Sequence, residues 1–245
     1  MEHFWTFFSF PLNILLAVLW MFGWGWLFKH HSGNPVVRFM MSPLATILSL
    51  VLLIVSSLWL GLGGSVSFVQ SVPFVLILLY IQTVLYLITL RGWKRAGEGV
   101  RWRFLLIHSG LLLAIGAGFW GSPDSYELRL QLDRGEATSQ AHLINGSRKG
   151  IGYEIKLVDF KTEYSDSGKP VYYEAIISTD NNMDVCLTVN HPFSPRLGED
   201  IYLTSVNNHG CILAIVREPW KYFALAGIIM LIIGAFMMFI KGAQR

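Results

Sequence analysis

The sequence predicts a membrane protein with an α-helical transmembrane bundle of about five spans and one inserted, extracytoplasmic all-β domain. Of its 245 residues, 53% are hydrophobic and 14% are charged, which is too apolar for a soluble domain of this length. Residues 121–218 hold nine Lys/Arg and fourteen Asp/Glu, a net charge of −5, whereas the remainder holds ten and two, a net charge of +8. This asymmetry indicates a polar domain outside a membrane region with basic flanks.

Five apolar segments are long enough to cross a hydrocarbon core of about 30 Å. They run from Phe4 to Phe28, Leu44 to Gly64, Pro73 to Leu90, 102 to 121 and Trp220 to Ile240. The first lacks the basic start and small-residue cleavage site of a secretory signal, so we expect a retained helix. The expected parts are an extra N-terminal helix with a basic loop (1–42), a three-helix region (43–120), the β domain (121–218), and a C-terminal helix with a basic tail (219–245).

Basic residues cluster in the connections after the first and third spans and in the C-terminal tail. The densest run holds Arg91, Lys94, Arg95, Arg101 and Arg103. By the positive-inside rule these three regions are expected to be cytoplasmic. The predicted orientation is therefore N-out and C-in, with the β domain on the extracytoplasmic face.

A small-residue face and a histidine distinguish the fourth span. Gly110, Ala114 and Gly118 recur every four residues, a spacing that lets another helix backbone approach closely. At about 100° per residue, His108 points roughly 120° away from this face. It lies five residues after Arg103, a rise of about 7 Å, and therefore in the predicted cytoplasmic half of the membrane.

An intramembrane histidine is costly unless it is paired, lines a polar cavity or binds a metal. One interpretation of His108 is structural, with a hydrogen bond to a neighbouring helix, for example at Gln82 in the third span. The other is a ligand of haem iron or zinc, because neutral imidazole binds both metals. The apolar, aromatic-ended surface around His108 suits a porphyrin better than a hydrated ion.

The polar region is expected to form one small sandwich or barrel-like domain. Six candidate strands are rich in β-branched and aromatic residues. They are YELRLQL, IGYEIKLVDFKTEY, VYYEAIIST, MDVCLTVN, EDIYLTSV and CILAIVR. The segment SDSGKP is a turn signal between the second and third of them. Alternation of Val185, Leu187 and Val189 with polar neighbours indicates one packed face and one wet face.

No catalytic residues are predicted in the polar region, which lacks GxSxG, HExxH and P-loop motifs. Its histidines, His142, His191 and His209, are scattered and expected to be solvated. The adjacent Glu199 and Asp200 follow a glycine and are interpreted as a turn leading into a strand.

The two cysteines of the chain, Cys186 and Cys211, both lie in the polar region. They could form a bridge, because the domain is expected to be extracytoplasmic. Neither CxxC nor CxxCH occurs, so we favour a structural or inert role for both thiols.

Several stretches, taken in order, resemble the ResB/CcsB family, the membrane component of the system II cytochrome c maturation machinery. PFVLILLYIQTVLYLITLRGWKR is similar to its second helix, and FLLIHSGLLLAIGAGFWG to the His-Leu-Gly-Leu-Leu pattern of its third. EIKLVDFKTEYSDSGKPVYYEAIIS and LTVNHPFSPRLGEDIYLTSV resemble strands of its polar domain. The resemblance covers about residues 43–240, and the usual four spans are preceded here by an extra one.

This resemblance implies a non-autonomous component of a haem-attaching cytochrome c synthase (lyase) complex. Members join a CcsA/ResC-type haem-handling membrane protein, carry haem b across the membrane and present it to apocytochrome c. The family's intramembrane haem ligand maps onto His108, with the second axial histidine supplied by the partner. The implied location is a bacterial inner (cytoplasmic) membrane, with lipid as surroundings and no nucleic-acid partner. The alternative is a non-catalytic, membrane-anchored scaffold or receptor whose β domain binds a partner protein.

Overall fold

The computed structural model describes residues 8–63, 68, 71–94, 102–143, 146–165, 170–180, 184–207 and 209–242. The chain divides into two compact units. One comprises Met1–Pro123 with Trp220–Arg245, and the other is Asp124–Pro219. The first is helical and the second is built of strands.

Six helices are described in the first unit. They are α1 (Leu12–His30), α2 (Pro35–Met40), α3 (Pro43–Gly61), α4 (Val72–Lys94), α5 (Trp102–Gly121) and α6 (Lys221–Gly242). All except the short α2 are long and apolar enough to cross a membrane, which confirms the expected number of spans. The first helix begins at Leu12 and not at Phe4, and residues 4–7 of that predicted segment lie outside the described residues. The helix α2 lies within the predicted basic loop, where no helix was expected.

Local sequence explains where α2 and α3 begin. Asn34 Oδ1 accepts a hydrogen bond from the Val36 amide at 2.9 Å, and Ser42 Oγ accepts one from the Ala45 amide at 3.2 Å. Each of these caps is followed by a proline at the first helical position. Proline is suited to that position because its fixed φ is helical and its missing N–H would have no partner there.

Helices α5 and α6 pack backbone to backbone through glycines. A Cβ built on Gly227 of α6 would lie 2.6 Å from the Gly110 carbonyl oxygen and 2.7 Å from the Ala114 nitrogen. A Cβ on Gly110 would lie 2.7 Å from the Gly227 carbonyl oxygen. The predicted small-residue face is thus confirmed at Gly110 and Ala114. Gly118 has no atom within 4 Å of its Cβ position and does not belong to this contact.

The first helix, α1, packs against α4 and α5. Asn13, which is 1% exposed, donates from Nδ2 to the Trp120 carbonyl oxygen at 2.8 Å. The Tyr86 hydroxyl of α4 donates to the Met21 carbonyl oxygen at 3.1 Å, and the ring of Trp20 lies 5.4 Å from that of Tyr86. These polar contacts fix α1 on the bundle even though most of its surface is exposed and apolar.

The second unit is one antiparallel sheet of eight strands in the order β5-β4-β3-β2-β1-β8-β7-β6. The strands are β1 (Tyr126–Asp133), β2 (Ala137–Leu143), β3 (Arg148–Tyr164), β4 (Pro170–Thr179), β5 (Asp184–Thr188), β6 (Phe193–Arg196), β7 (Glu199–Val206) and β8 (Gly210–Arg217). All six predicted strands are present, and β2 and β6 are additional. The hairpin of β3 and β4 is confirmed by their pairing, although residues 166–169 of its predicted turn lie outside the described residues.

The sheet curls on itself around a single core, because β3, β4 and β5 also pack against β7. Alternate residues of nearly every strand point inward, so each strand has one packed face. Leu187 is fully buried, as the alternation in β5 predicted, and Val185 packs against the same core. The fully buried large side chains of this core are Leu128, Leu132, Ile155, Leu157, Ile177, Leu187, Ile201, Leu213 and Ile215.

Both cysteines are free thiols in this structure. Cys186 is exposed on β5, whereas Cys211 is buried in the core. Burial raises the pKa of the Cys211 thiol to about 12. Since the thiolate is the reactive form, Cys211 is an inert core residue at neutral pH.

We therefore expect one cysteine to be alkylated in the native protein. At pH 8, N-ethylmaleimide should modify Cys186 within minutes and leave Cys211 unmodified until a denaturant is added. Peptide mass spectrometry after trypsin digestion distinguishes the two sites. Equal labelling of both thiols in the native protein would contradict the burial of Cys211.

Candidate functional site

His108 lies in the second turn of α5 and is half-buried. Its Nδ1 is 2.9 Å from the carbonyl oxygen of Phe104, one turn earlier. A carbonyl oxygen only accepts hydrogen bonds, so this contact requires a proton on Nδ1. In a neutral imidazole Nε2 then keeps its lone pair, which is the arrangement that a metal-binding histidine needs.

The imidazole orientation is also fixed by stacking. The rings of Phe104 and His108 are nearly parallel, with centroids 3.9 Å apart and planes inclined by 26°. Phe104 in turn packs against the backbone of α4 at Gly92, where a Cβ would overlap its ring. The absence of a side chain at Gly92 therefore makes room for Phe104, which holds one face of His108.

The remaining ring nitrogen of His108 is available. Among the described residues, no hydrogen bond involves Nε2. A lone pair without a donor is an unsatisfied group in an apolar environment, so a metal or hydrogen-bond donor from outside this chain would stabilise it.

Gln82 does not pair with His108, so the specific structural partner considered for the histidine is wrong. Gln82 is 1% exposed and its Oε1 accepts a hydrogen bond from Trp120 Nε1 at 3.1 Å. It faces another helix, as predicted, but twelve residues separate Trp120 from His108, a rise of about 18 Å. Among the described residues, Gln82 Nε2 has no partner.

The histidines of the sheet do not form a metal-binding cluster with other described side chains. His142, His191 and His209 are exposed, as expected. No group of three or more His, Cys, Asp or Glu side chains within the described ranges could hold a metal ion.

Glu199 follows a turn and begins a strand, as interpreted from the sequence, but its side chain is also buried. It is the first residue of β7 and is 3% exposed. Its Oε1 accepts a hydrogen bond from the Tyr153 hydroxyl at 2.7 Å, and its Oε2 accepts one from Arg217 Nη1 at 3.3 Å. The signal was present in the strand alternation, which places Glu199 on the same face as Ile201 and Leu203.

Sequence reasoning found His108 but not the two residues that orient it. The i−4 spacing of Phe104 could have indicated the stack, because residues four apart lie on one helix face. The contact between Phe104 and Gly92 depends on how α4 and α5 pack, and no local pattern predicts it.

One family model matches a continuous region of the chain. This region includes helix α5, which carries His108, and most of the sheet. Residues 95–214 match the ResB-like family. The resemblance seen in the sequence is confirmed over this ResB-like region, which is shorter than the 43–240 expected from the motifs. It contains His108, Phe104, Tyr153 and Glu199.

Comparison with solved structures found a match to a chain described as "Cytochrome c Heme Lyase CcmF". The alignment covers 92% of this chain and 45% of that chain, at 16% sequence identity and a TM-score of 0.43. The chain thus spans less than half the length of that protein. Comparison with curated proteins found no match.

Proposed function

We propose that this protein is the haem-handling subunit of a system II cytochrome c synthase. In this proposal it binds haem b with a CcsA/ResC-type partner and helps to carry it across the membrane to apocytochrome c. The ResB-like match over residues 95–214 supports a role in cytochrome c biogenesis. The observation that carries the haem role is the geometry of His108, whose Nδ1 is engaged and whose Nε2 is available.

Haem is the cargo, and His108 Nε2 would be one axial ligand of its iron. The Phe104 carbonyl oxygen keeps the proton on Nδ1 and raises the basicity of the ligating nitrogen. The stack with Phe104 holds the plane of the imidazole, which sets the direction of the Nε2 lone pair. The second axial ligand would be a histidine of the partner.

The subunit acts as part of a complex and not as an independent enzyme. Thioether formation would occur outside, on the cysteines of apocytochrome c. The proposed orientation is N-out and C-in in a bacterial inner membrane, which places the sheet domain on the side where apocytochrome c is found. His108 in the cytoplasmic half of its helix would then receive haem early in its passage.

Cytochrome c maturation in cells tests this role. In a strain that lacks the protein, the wild-type chain should restore covalent haem staining of c-type cytochromes, and His108→Ala should reduce it at least tenfold. His142→Ala changes an exposed histidine of the sheet and should restore full staining. Membrane levels of each variant are compared by immunoblotting.

Full maturation with His108→Ala at wild-type protein levels would contradict the ligand role. It would favour the scaffold or receptor alternative, in which the sheet binds a partner and His108 is structural. Loss of staining with both histidine variants would also contradict the specific role of His108.

A further inference from the structure

A group of basic and aromatic side chains, with one carboxylate among them, lies at one end of the curled sheet. This basic end cluster consists of Tyr126, Lys149, Tyr153, Arg196, Glu199 and Arg217. The sheet register creates it, because Tyr126 of β1 pairs with Arg217 of β8, which pairs with Glu199 of β7. Directly opposed residues share one face of a sheet, so these three side chains lie in one row.

Glu199 neutralises only one of the three cations. Its carboxylate is satisfied by Arg217 and by the Tyr153 hydroxyl, and it is almost completely buried. Lys149 and Arg196 form no ion pair with any described carboxylate. Three cations against one carboxylate leave two positive charges at this end of a region whose net charge is −5.

Lys149 lies over an aromatic ring, but burial and a neighbouring cation disfavour its charge. Its Nζ lies 3.3 Å from the centroid of the Tyr126 ring. Partial burial and then the Arg217 guanidinium lower the pKa of Lys149. An anion beside Nζ would offset both effects, since it favours the charged ammonium.

Arg196 is oriented by the backbone but keeps free donors. Its guanidinium donates to the carbonyl oxygens of Ile151 at 3.4 Å and Gly152 at 2.8 Å, and lies 4.7 Å from the centroid of the Tyr153 ring. Gly152 has a φ of +75° within an irregular part of the β2–β3 pairing, which turns these carbonyls toward Arg196. The exposed side chain thus presents its unused N–H groups in a fixed direction.

The cluster lies at the strand ends nearest in sequence to two membrane-length helices. Five positions separate Gly121, the end of α5, from Tyr126, and four separate Arg217 from Lys221, the start of α6. At about 3.3 Å per residue, an extended connection spans at most ~17 Å. Lipid phosphates lie at the ends of membrane spans, and both connections from the strands of the cluster to such helices are short.

We propose that the basic end cluster binds the phosphate of an anionic membrane lipid through Lys149, Arg196 and Arg217. Glu199 and Tyr153 position Arg217, and the aromatic rings of Tyr126 and Tyr153 support the other two cations. Tyrosine rings at the level of the lipid headgroups are typical of both membrane interfaces. The site is independent of haem and of His108.

Native mass spectrometry of the full chain, purified in neutral detergent, tests this site. The probes are dioctanoyl phosphatidylglycerol, dioctanoyl phosphatidylcholine and inorganic phosphate at equal concentrations. Lys149→Gln/Arg196→Gln should weaken phosphatidylglycerol binding roughly tenfold or more, because it removes two cations near the phosphate. The matched control Arg129→Gln/Lys156→Gln removes two exposed cations of the same sheet and should bind the lipid as the wild type does.

Three outcomes would overturn the proposal. The first is equal phosphatidylglycerol binding by the wild type and the Lys149→Gln/Arg196→Gln variant at equal thermal stability. The second is phosphatidylcholine binding as tight as that of phosphatidylglycerol. The third is complete displacement of the lipid by an equal concentration of inorganic phosphate, which would assign the cluster to a free anion. Circular dichroism of both double variants establishes that they are folded.

Discussion

Replacing Gly227 by valine should separate α5 from α6 and lower the stability of the helical bundle. The new Cβ would lie 2.6 Å from the Gly110 carbonyl oxygen and 2.7 Å from the Ala114 nitrogen. Both neighbours are backbone atoms, so a side-chain rotation cannot relieve the overlap. We expect a loss of at least ~2 kcal/mol in stability, the cost of forcing extra methyl groups into a tight contact.

Gly118→Val is the matched control for Gly227→Val. Gly118 lies in the same helix pair, but no atom is found within 4 Å of its Cβ position. Thermal unfolding in detergent, followed by circular dichroism, should show a lowered midpoint for Gly227→Val and a nearly unchanged one for Gly118→Val. Equal midpoints for the two variants would contradict the close backbone contact.

Glu199→Ala should destabilise the sheet by about 3 kcal/mol or more, since it leaves a buried hydroxyl and a guanidinium without their acceptor. Burial and the hydrogen bond to Glu199 both raise the pKa of Tyr153, so its hydroxyl stays protonated and needs that acceptor. Hydrogen-exchange mass spectrometry of peptides from β1, β7 and β8 should show much faster exchange in the variant.

Glu163→Ala is the control for Glu199→Ala. Glu163 belongs to an ion pair with Lys161 in which both side chains are more than half exposed, and such pairs contribute little. Exchange in its variant should match the wild type. If Glu199→Ala also exchanged at the wild-type rate, the buried carboxylate would not support this end of the sheet.

Four of the five membrane-length helices could be predicted closely because each is an uninterrupted apolar run, whereas α1 begins eight residues later than Phe4. The segment 102–121 was expected to be one helix, and α5 has these bounds. The short α2 was missed because its six residues are too few for a periodic pattern, whereas Asn34 and Pro35 in hindsight mark its start. For α4, the structure adds a turn beyond Leu90, which carries the helix into the basic residues.

The strands β2 and β6 could not be predicted from local sequence patterns. The strand β2 has the polar sequence ATSQAHL with only Ala141 fully buried, so it lacks the apolar alternation of the others. The strand β6 has the sequence FSPR, and a proline is unfavourable inside a central strand. Both are stabilised by their neighbours β3 and β7, and such pairing is a property of the folded sheet.

The candidate site was predictable only in part. A histidine within an apolar membrane helix is energetically unfavourable unless it has a partner or a ligand. His108 could therefore be selected from the sequence as a candidate functional residue. Its proposed hydrogen-bond partner could not, because the rotamers of Phe104 and Trp120 decide which polar groups meet. The Glu199 pairing was missed for a similar reason, since β3, β7 and β8 meet only in the folded sheet.

The absorption spectrum of the affinity-purified membrane complex tests the haem-ligand role of His108 most directly. The wild-type complex should show a b-type haem spectrum, with the partner identified by mass spectrometry. His108→Gly should lose this spectrum and regain it when imidazole is added, whereas His142→Gly should retain it. A His108→Gly complex with an unchanged haem spectrum and the same partner would contradict the role of His108 as an iron ligand.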